Sequence, residues 1–179
     1  MSQLKYFTGS WFDDLTILET YIDCLEYKTG TARLDKFKIP RKEGGSVLYG
    51  YTFRGYLSKT KKREWCPLFK QFKTVMMSEH PKLLFVFREL RDLYFPEFMF
   101  NNVQLNYNYK IPKHKDNANT GESVLVCCGD YTGGDTIVLD GDKKIRYNAR
   151  EKPVIFDGSK LFHYVEDFVG DRYSLVFFN

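Results

Sequence analysis

Histidine is scarce in this 179-residue chain, which holds only His80, His114 and His163. A metal bound through imidazole would therefore have its ligands nearly named in advance. His114-Lys115-Asp116 sets an imidazole and a carboxylate two residues apart. On an extended strand residues i and i+2 point to one face, so His114 and Asp116 converge while Lys115 turns away. His163, in KLFHYVED, follows Asp116 by 47 residues, enough for the chain to wind round a β structure and return. Two imidazoles and one carboxylate on one face of an octahedral ion are the donor set of non-haem iron(II) centres, with three positions left open. An H-x-D pair alone is weak, because such pairs arise by chance on many surfaces.

The company of that pair strengthens it. Arg172-Tyr173-Ser174 begins nine residues after His163 and puts a guanidinium and a hydroxyl on one face of a final strand. A fork of donors aimed inward can hold a carboxylate bidentately; the bland alternative is a surface ion pair of Arg172 with a neighbour such as Asp171. Other residues are demoted. His80, before Pro81, reads as an exposed turn residue, Cys127-Cys128 as strand packing, and Asp140-Gly141-Asp142 as a hairpin turn before a calcium loop. With Cys24 and Cys66, the cysteines form neither a C-x-x-C pair nor a small disulfide framework, so reduced thiols are expected and a cysteine zinc site is not.

The elements that must position these groups differ between the two halves. Ser10 with Asp13 resembles a capping box, and Trp11, Leu15, Leu18, Ile22 and Leu25 have helical spacing up to Gly30. Residues 32–56 are irregular and basic, with SVLYGYTF reading as a strand or ordered loop. Pro67 and Pro81 each suit the first position of a further helix, with Leu68, Phe72, Val75 and Met76, then Leu84, Phe87, Leu90 and Tyr94, as the buried faces. After Pro96 short apolar runs separated by Gly, Asn and Asp take over. They predict strands near 100–109, 123–128, 135–139, 144–147, 153–156, 161–165 and 172–178, the pattern of a sandwich, barrel or jelly roll.

Length and composition fit one globular α+β domain over residues 1–179, helical and basic over 1–99 and β-rich over 100–179. Hydrophobic residues at 43% and charged ones at 28% exclude disordered, collagen-like and coiled-coil classes. No run approaches a membrane span and the N-terminus lacks a signal pattern, so a soluble intracellular protein is expected. The aromatic share, 17% with 13 Tyr and 16 Phe, leans toward a β-rich core. Charge is uneven: residues 28–73 hold thirteen Lys/Arg against three acids, a net +10 in a chain of net +4. Such a cluster attracts nucleic acid or other polyanions, unless it is a solvated face.

The succession HKD, His163 and RYS, with Gly133-Gly134-Asp135 between the ligand motifs, resembles the iron(II)- and 2-oxoglutarate-dependent dioxygenases. The resemblance covers residues 100–179, the size of their double-stranded β-helix (jelly-roll, cupin-like) core. Within that superfamily, QLNYNYKIPKHKDNANTGESVLVCCGDYTGGDTIVLDG is most similar to the branch containing the TET and J-base thymine hydroxylases and their viral and algal relatives. The resemblance implies iron held by His114, Asp116 and His163. It implies 2-oxoglutarate as co-substrate, its distal carboxylate on Arg172 and Ser174, with Asn106 as a further contact or a structural hydrogen-bond partner. Together with O2 these would hydroxylate a substrate C–H bond.

Departures from relatives narrow the reading. AlkB-type demethylases carry a second arginine six residues after the first, where this chain has Phe178. Neither the cysteine-rich region of large TET enzymes nor the added DNA-binding domain of the J-base proteins is expected. The substrate expected from the branch resemblance and the basic segment is the 5-methyl group of thymine or 5-methylcytosine in DNA. Phe37, Tyr49, Tyr51, Phe53, Tyr56 and Trp65 stand there among basic residues, including Lys59, Lys61, Lys62 and Arg63, which could follow phosphates while rings stack on bases. The rivals are a protein or small-molecule hydroxylase with the same iron chemistry, and a non-catalytic jelly-roll binding module.

Overall fold

The computed structural model describes residues 5–25, 27, 44–53, 64–116 and 119–179. Helix α1 (Trp11–Ile22) is followed by strands β1 (Gly45–Tyr49), β2 (Tyr51–Thr52), β3 (Trp65–Cys66) and β4 (Gln71–Lys73). Helices α2 (Val75–Glu79) and α3 (Leu83–Tyr94) come next. Then β5 (Asn102–Tyr107), β6 (Ser123–Cys128), β7 (Tyr131–Gly133), β8 (Thr136–Asp140) and β9 (Lys143–Tyr147) lead to β10 (Val154–Phe156), β11 (Phe162–Val165), β12 (Phe168–Gly170) and β13 (Tyr173–Phe178). None of the described helices is long and apolar enough to cross a membrane.

The major sheet is antiparallel in the order β1-β5-β13-β6-β10, facing a minor layer of β11-β8-β9 and the pair β12-β7. The expected jelly-roll layering is present, open rather than closed into a barrel. β1 joins it from far upstream, pairing with β5 along its whole length. A small sheet, β2-β4-β3, stands beside it.

Strand alternation sorts the major sheet's two faces. Val103 and Leu105 of β5, with Tyr173, Leu175 and Phe177 of β13, pack outward against Leu15, Leu18 and Ile22 of α1 and Val86, Phe87 and Leu90 of α3. Phe177 lies edge-on to Phe87, Phe95 and Phe100, so much of the aromatic excess is helix-to-sheet core. The opposite face presents Asn102, Gln104, Asn106, Arg172, Ser174 and Val176 to a cavity between the layers.

Three sequence expectations are corrected. Pro67 opens a turn between β3 and β4 rather than a helix, and Leu68 is 90% exposed. Phe72 lies in β4, paired across to Trp65 and Thr52, so cross-strand pairing overrides the helical spacing of this stretch. The Ser10–Asp13 capping box does not form, because Ser10 makes no side-chain cap. Buried Asp14 instead fastens the chain leading into α1, accepting from Thr8 N, Gly9 N and the hydroxyls of Thr8 and Tyr94. α1 stops at Ile22, before Gly30; the next residue, Asp23, takes a hydrogen bond from the Tyr173 hydroxyl. The Asp140–Lys143 hairpin turns through Gly141 at φ 57°, as expected of its sequence.

Candidate metal and carboxylate site

His114 sits in a short extended segment that meets β11 at a single bridge, His114 opposite His163 with reciprocal backbone hydrogen bonds of 3.0 and 2.9 Å. The two imidazoles are thereby set side by side, ring centroids 4.2 Å apart. Asp116 is anchored by its own N–H to the Gly158 carbonyl at 2.9 Å. Its Oδ1 lies 3.4 Å from His114 Nε2 and its Oδ2 3.7 Å from His163 Nε2. One ligand atom from each of the three falls within 4.8 Å of the others.

The tautomers follow from the neighbours. His114 Nδ1 lies 2.9 Å from the Pro112 carbonyl and His163 Nδ1 3.1 Å from the Leu161 carbonyl. A carbonyl only accepts, so each Nδ1 carries the proton and each Nε2 turns a lone pair toward Asp116. Burial, with His114 close by, pushes the His163 pKa below the ordinary histidine value, which favours the neutral ligand form. Three electron-rich atoms converge with the geometry a cation would neutralise. The donor set, with two imidazole nitrogens and a carboxylate, fits iron(II).

Two residues that the sequence reading passed over complete this corner. Asn119, three positions after Asp116, donates to Asp116 Oδ2 at 3.1 Å and to Ser123 Oγ at 3.3 Å, holding the carboxylate's rotation. Its carboxamide three residues downstream of the aspartate was a signal open to notice. Gly158 had none: a Cβ there would stand 2.6 Å from Asp116 Oδ2 and 3.2 Å from His163 Cε1, so only glycine leaves the carboxylate its place.

Arg172 is 2% exposed and lines the same cavity as the triad. The surface pairing with Asp171 does not occur, since the Asp171 carboxylate takes Tyr107 and Asn108 instead. Arg172 is held by its backbone, with its N–H donating to Asn108 Oδ1 at 2.7 Å and its carbonyl accepting from Asn108 N at 2.8 Å. Asn108 meets this with φ 46°. The guanidinium lies over Tyr131 and Phe168, each 5.6 Å from the ring centre. Its Nη2 reaches Cys127 Sγ at 3.2 Å. Burial pushes the Cys127 thiol up, so the sulfur is no counter-anion, and Cys127 is more than the packing residue expected of it.

No described carboxylate pairs with this buried cation, and its Nε has no partner. A buried charge so placed calls for an anion. Gly134 makes the room, since a Cβ there would press on Arg172 Cδ and Nε at 3.0 Å. Ser174 and Asn106 lie beside it, Asn106 Nδ2 donating to Ser174 Oγ at 3.2 Å, with Ser46 Oγ donating to Asn106 Oδ1 at 2.9 Å. Asn106 thus has a structural hydrogen-bond role while also lining the cavity. Thr136 Oγ1, also buried and lining it, is unpartnered. Together these donors fit the distal carboxylate of a 2-oxo diacid.

The cavity, of about 560 Å³, joins the triad to Arg172 and continues to Tyr51, Phe53 and Gln71 of the β2–β4 region. Lys59, Lys61, Lys62 and Arg63, the nucleic-acid-binding residues expected from the sequence, lie outside the described residues.

Comparison with solved structures identifies the architecture. An oxidoreductase of the 2OG-Fe(II) oxygenase family from Burkholderia pseudomallei superposes over 98% of this chain and 92% of its own, at 17% identity and a TM-score of 0.50. The chain shares the fold of that oxygenase. NgTET1 in complex with 5mC DNA gives 18% identity over 83% of this chain and 65% of its own, at a TM-score of 0.46. A Pseudomonas putida prolyl-4-hydroxylase gives 12% over 99% and 90%, at 0.44. No protein-family model and no curated protein sequence matches the chain.

Proposed function

We propose that this protein is an iron(II)- and 2-oxoglutarate-dependent dioxygenase. The observation that carries the reading is the pairing, in one cavity, of a His–Asp–His group with a buried arginine that has no counter-anion among the described residues. Iron(II) with 2-oxoglutarate and O2 would supply the oxidation, one oxygen atom entering a substrate C–H bond while 2-oxoglutarate loses carbon dioxide and becomes succinate. In this reading His114 and His163 present Nε2 and Asp116 a carboxylate oxygen to the metal. Arg172 and Ser174 orient the co-substrate by its distal carboxylate, with Asn106 fixing the Ser174 hydroxyl. Ile111, Leu125, Phe156 and Val165 line the walls and exclude water.

The finer reading is hydroxylation of the 5-methyl group of thymine or 5-methylcytosine in DNA. Its support is the likeness of the HKD-to-DG stretch to the TET and J-base branch, the net +10 of residues 28–73, and a cavity within the range of small-molecule sites. The test is to incubate the protein with iron(II), 2-oxoglutarate and thymine- or 5-methylcytosine-containing DNA, then analyse nucleosides by mass spectrometry. Oxidised base that vanishes in Asp116→Ala is expected. Succinate release with a peptide pool and none with DNA would reassign the substrate; no 2-oxoglutarate consumption under any condition would leave a binding module.

A further inference from the structure

The walls of the cavity are chemically partitioned, and the partition bears on what enters. Alternation on β5 turns Asn102, Gln104 and Asn106 inward, and β13, paired to it residue for residue, turns Arg172, Ser174, Val176 and Phe178 the same way. Arg172 closes one end. The floor then runs along β13 for about 20 Å at 3.3–3.4 Å per residue to Phe178, and the same cavity reaches Tyr51, Phe53 and Gln71. Phe53 is 76% exposed there, while Tyr51 is braced by Phe69 in a stack at 4.3 Å. Beyond the triad and Arg172, the only formally charged lining residue among those described is Lys115.

Lys115 does not act alone. Lys113 and Lys115 both lie over the ring of Phe162, at 5.1 and 4.7 Å from its centre. Phe162, 44% exposed, directly precedes the ligand His163 on β11. Among the described residues neither lysine forms an ion pair. An exposed phenylalanine thus holds two ammonium groups together beside the metal corner. Inside are amides and aromatics, which suit an uncharged planar ring bearing donors and acceptors. At the rim is Lys115, with Lys113 beside it across Phe162, and this pair suits an anion covalently tied to that ring.

We propose that the cavity takes the uncharged base of a nucleotide unit while Lys113 and Lys115, held across Phe162, take its backbone phosphate. This rests on the reading of the site as a DNA hydroxylase and assigns the phosphate contact to residues outside the basic 28–73 segment. A peptide would need two separate side chains, one aromatic and one acidic, to meet both features, whereas a nucleotide carries its ring and its anion in one unit.

Fluorescence anisotropy on the full chain, with a labelled single-stranded oligonucleotide carrying one 5-methylcytosine, tests it across a salt series. Lys113→Gln/Lys115→Gln is expected to weaken binding at least tenfold. It should also lower the slope of log affinity against log salt by about 0.7, the value for one phosphate on a single strand. Lys113→Arg/Lys115→Arg should bind as the wild type does, and melting curves check that each variant is folded. Phe53→Ala should weaken binding with the slope unchanged. An unchanged slope in the glutamine variant, or displacement of the oligonucleotide by polyglutamate of equal charge at equal concentration, would overturn the proposal. The two readings fail separately: oxidised nucleosides with an unchanged slope reject this rim, whereas a lowered slope without oxidised nucleosides rejects the hydroxylase reading alone.

Discussion

At the scale of single residues, the site is decided by small side chains as much as by ligands. Gly158→Ala sets a methyl 2.6 Å from Asp116 Oδ2, at a backbone conformation open to any residue. The expected outcome is a folded protein that fails to load iron(II), read by metal analysis after dialysis beside a wild-type melting curve. Asn119→Ala releases the Asp116 carboxylate, and metal affinity should fall roughly 10- to 100-fold, as for other partners of metal ligands, measured by competition with a chelator. Arg172 gives a more pointed test, because a buried cation without an anion destabilises the chain that holds it. Arg172→Met should raise the urea midpoint of the metal-free protein by about 1 kcal/mol equivalent. It should also raise the KM for 2-oxoglutarate at least tenfold, with iron affinity changed much less. Loss of stability in that variant would mark the arginine as structural.

At the scale of elements, α1 depends on Asp14 more than on its own first residue. Burial pushes the Asp14 pKa up, but the Tyr94 hydroxyl and the Thr8 and Gly9 donors outweigh it and hold the group below the ordinary carboxylate value. A folded-state pKa lower than the unfolded one means stability that is present above about pH 4 and is lost as pH falls through the folded value. Asp14→Ala should therefore cost about 2 kcal/mol at neutral pH, the scale of losing hydrogen bonds to a charged group, and flatten the acid limb of the stability curve, as read by denaturant melts from pH 7 to pH 2. The capping pattern was legible in the sequence only as a region, since Ser10-x-x-Asp13 and the aspartate next to it look alike until Tyr94 arrives from α3. Most C-terminal strands were legible almost to the residue: β6 occupies 123–128 as expected, and β8 to β11 and β13 lie within a residue or two, whereas the short pair β7 and β12 was not among the expected strands. The stretch from Pro67 was not, because its apolar spacing fits helix and strand equally and pairing with β2 and β3 decided it.

At the scale of the whole molecule, the candidate metal corner adds a tie between the 111–116 stretch and β11, which already meet at the His114–His163 bridge, the Val165 N–H to Ile111 carbonyl bond and the lysine contacts on Phe162. Binding at that corner is coupled to global stability. Iron(II) at 100 times its dissociation constant adds about 2.7 kcal/mol, which in a chain of this size raises the melting temperature by roughly 5–10 °C. Calorimetry with iron(II) under anaerobic conditions, then with excess chelator, should show the rise and its reversal. Asp116→Ala should show neither.

The sequence by itself indicated the candidate ligand types, their order and the strand that carries His163, because alternation is a local property with a period of two and histidine is rare enough here to leave little choice. It also indicated Arg172 and Ser174 as a pair on one face. Tertiary structure decided what those groups meet. Gly158 and Gly134 matter only because distant side chains crowd them, Arg172 is unpaired only because β6 brings a thiol rather than a carboxylate to it, and Lys113 and Lys115 become a pair only across a phenylalanine some fifty residues away. Such close approaches depend on how layers pack, and packing brings together residues whose separation along the chain carries no signal of contact.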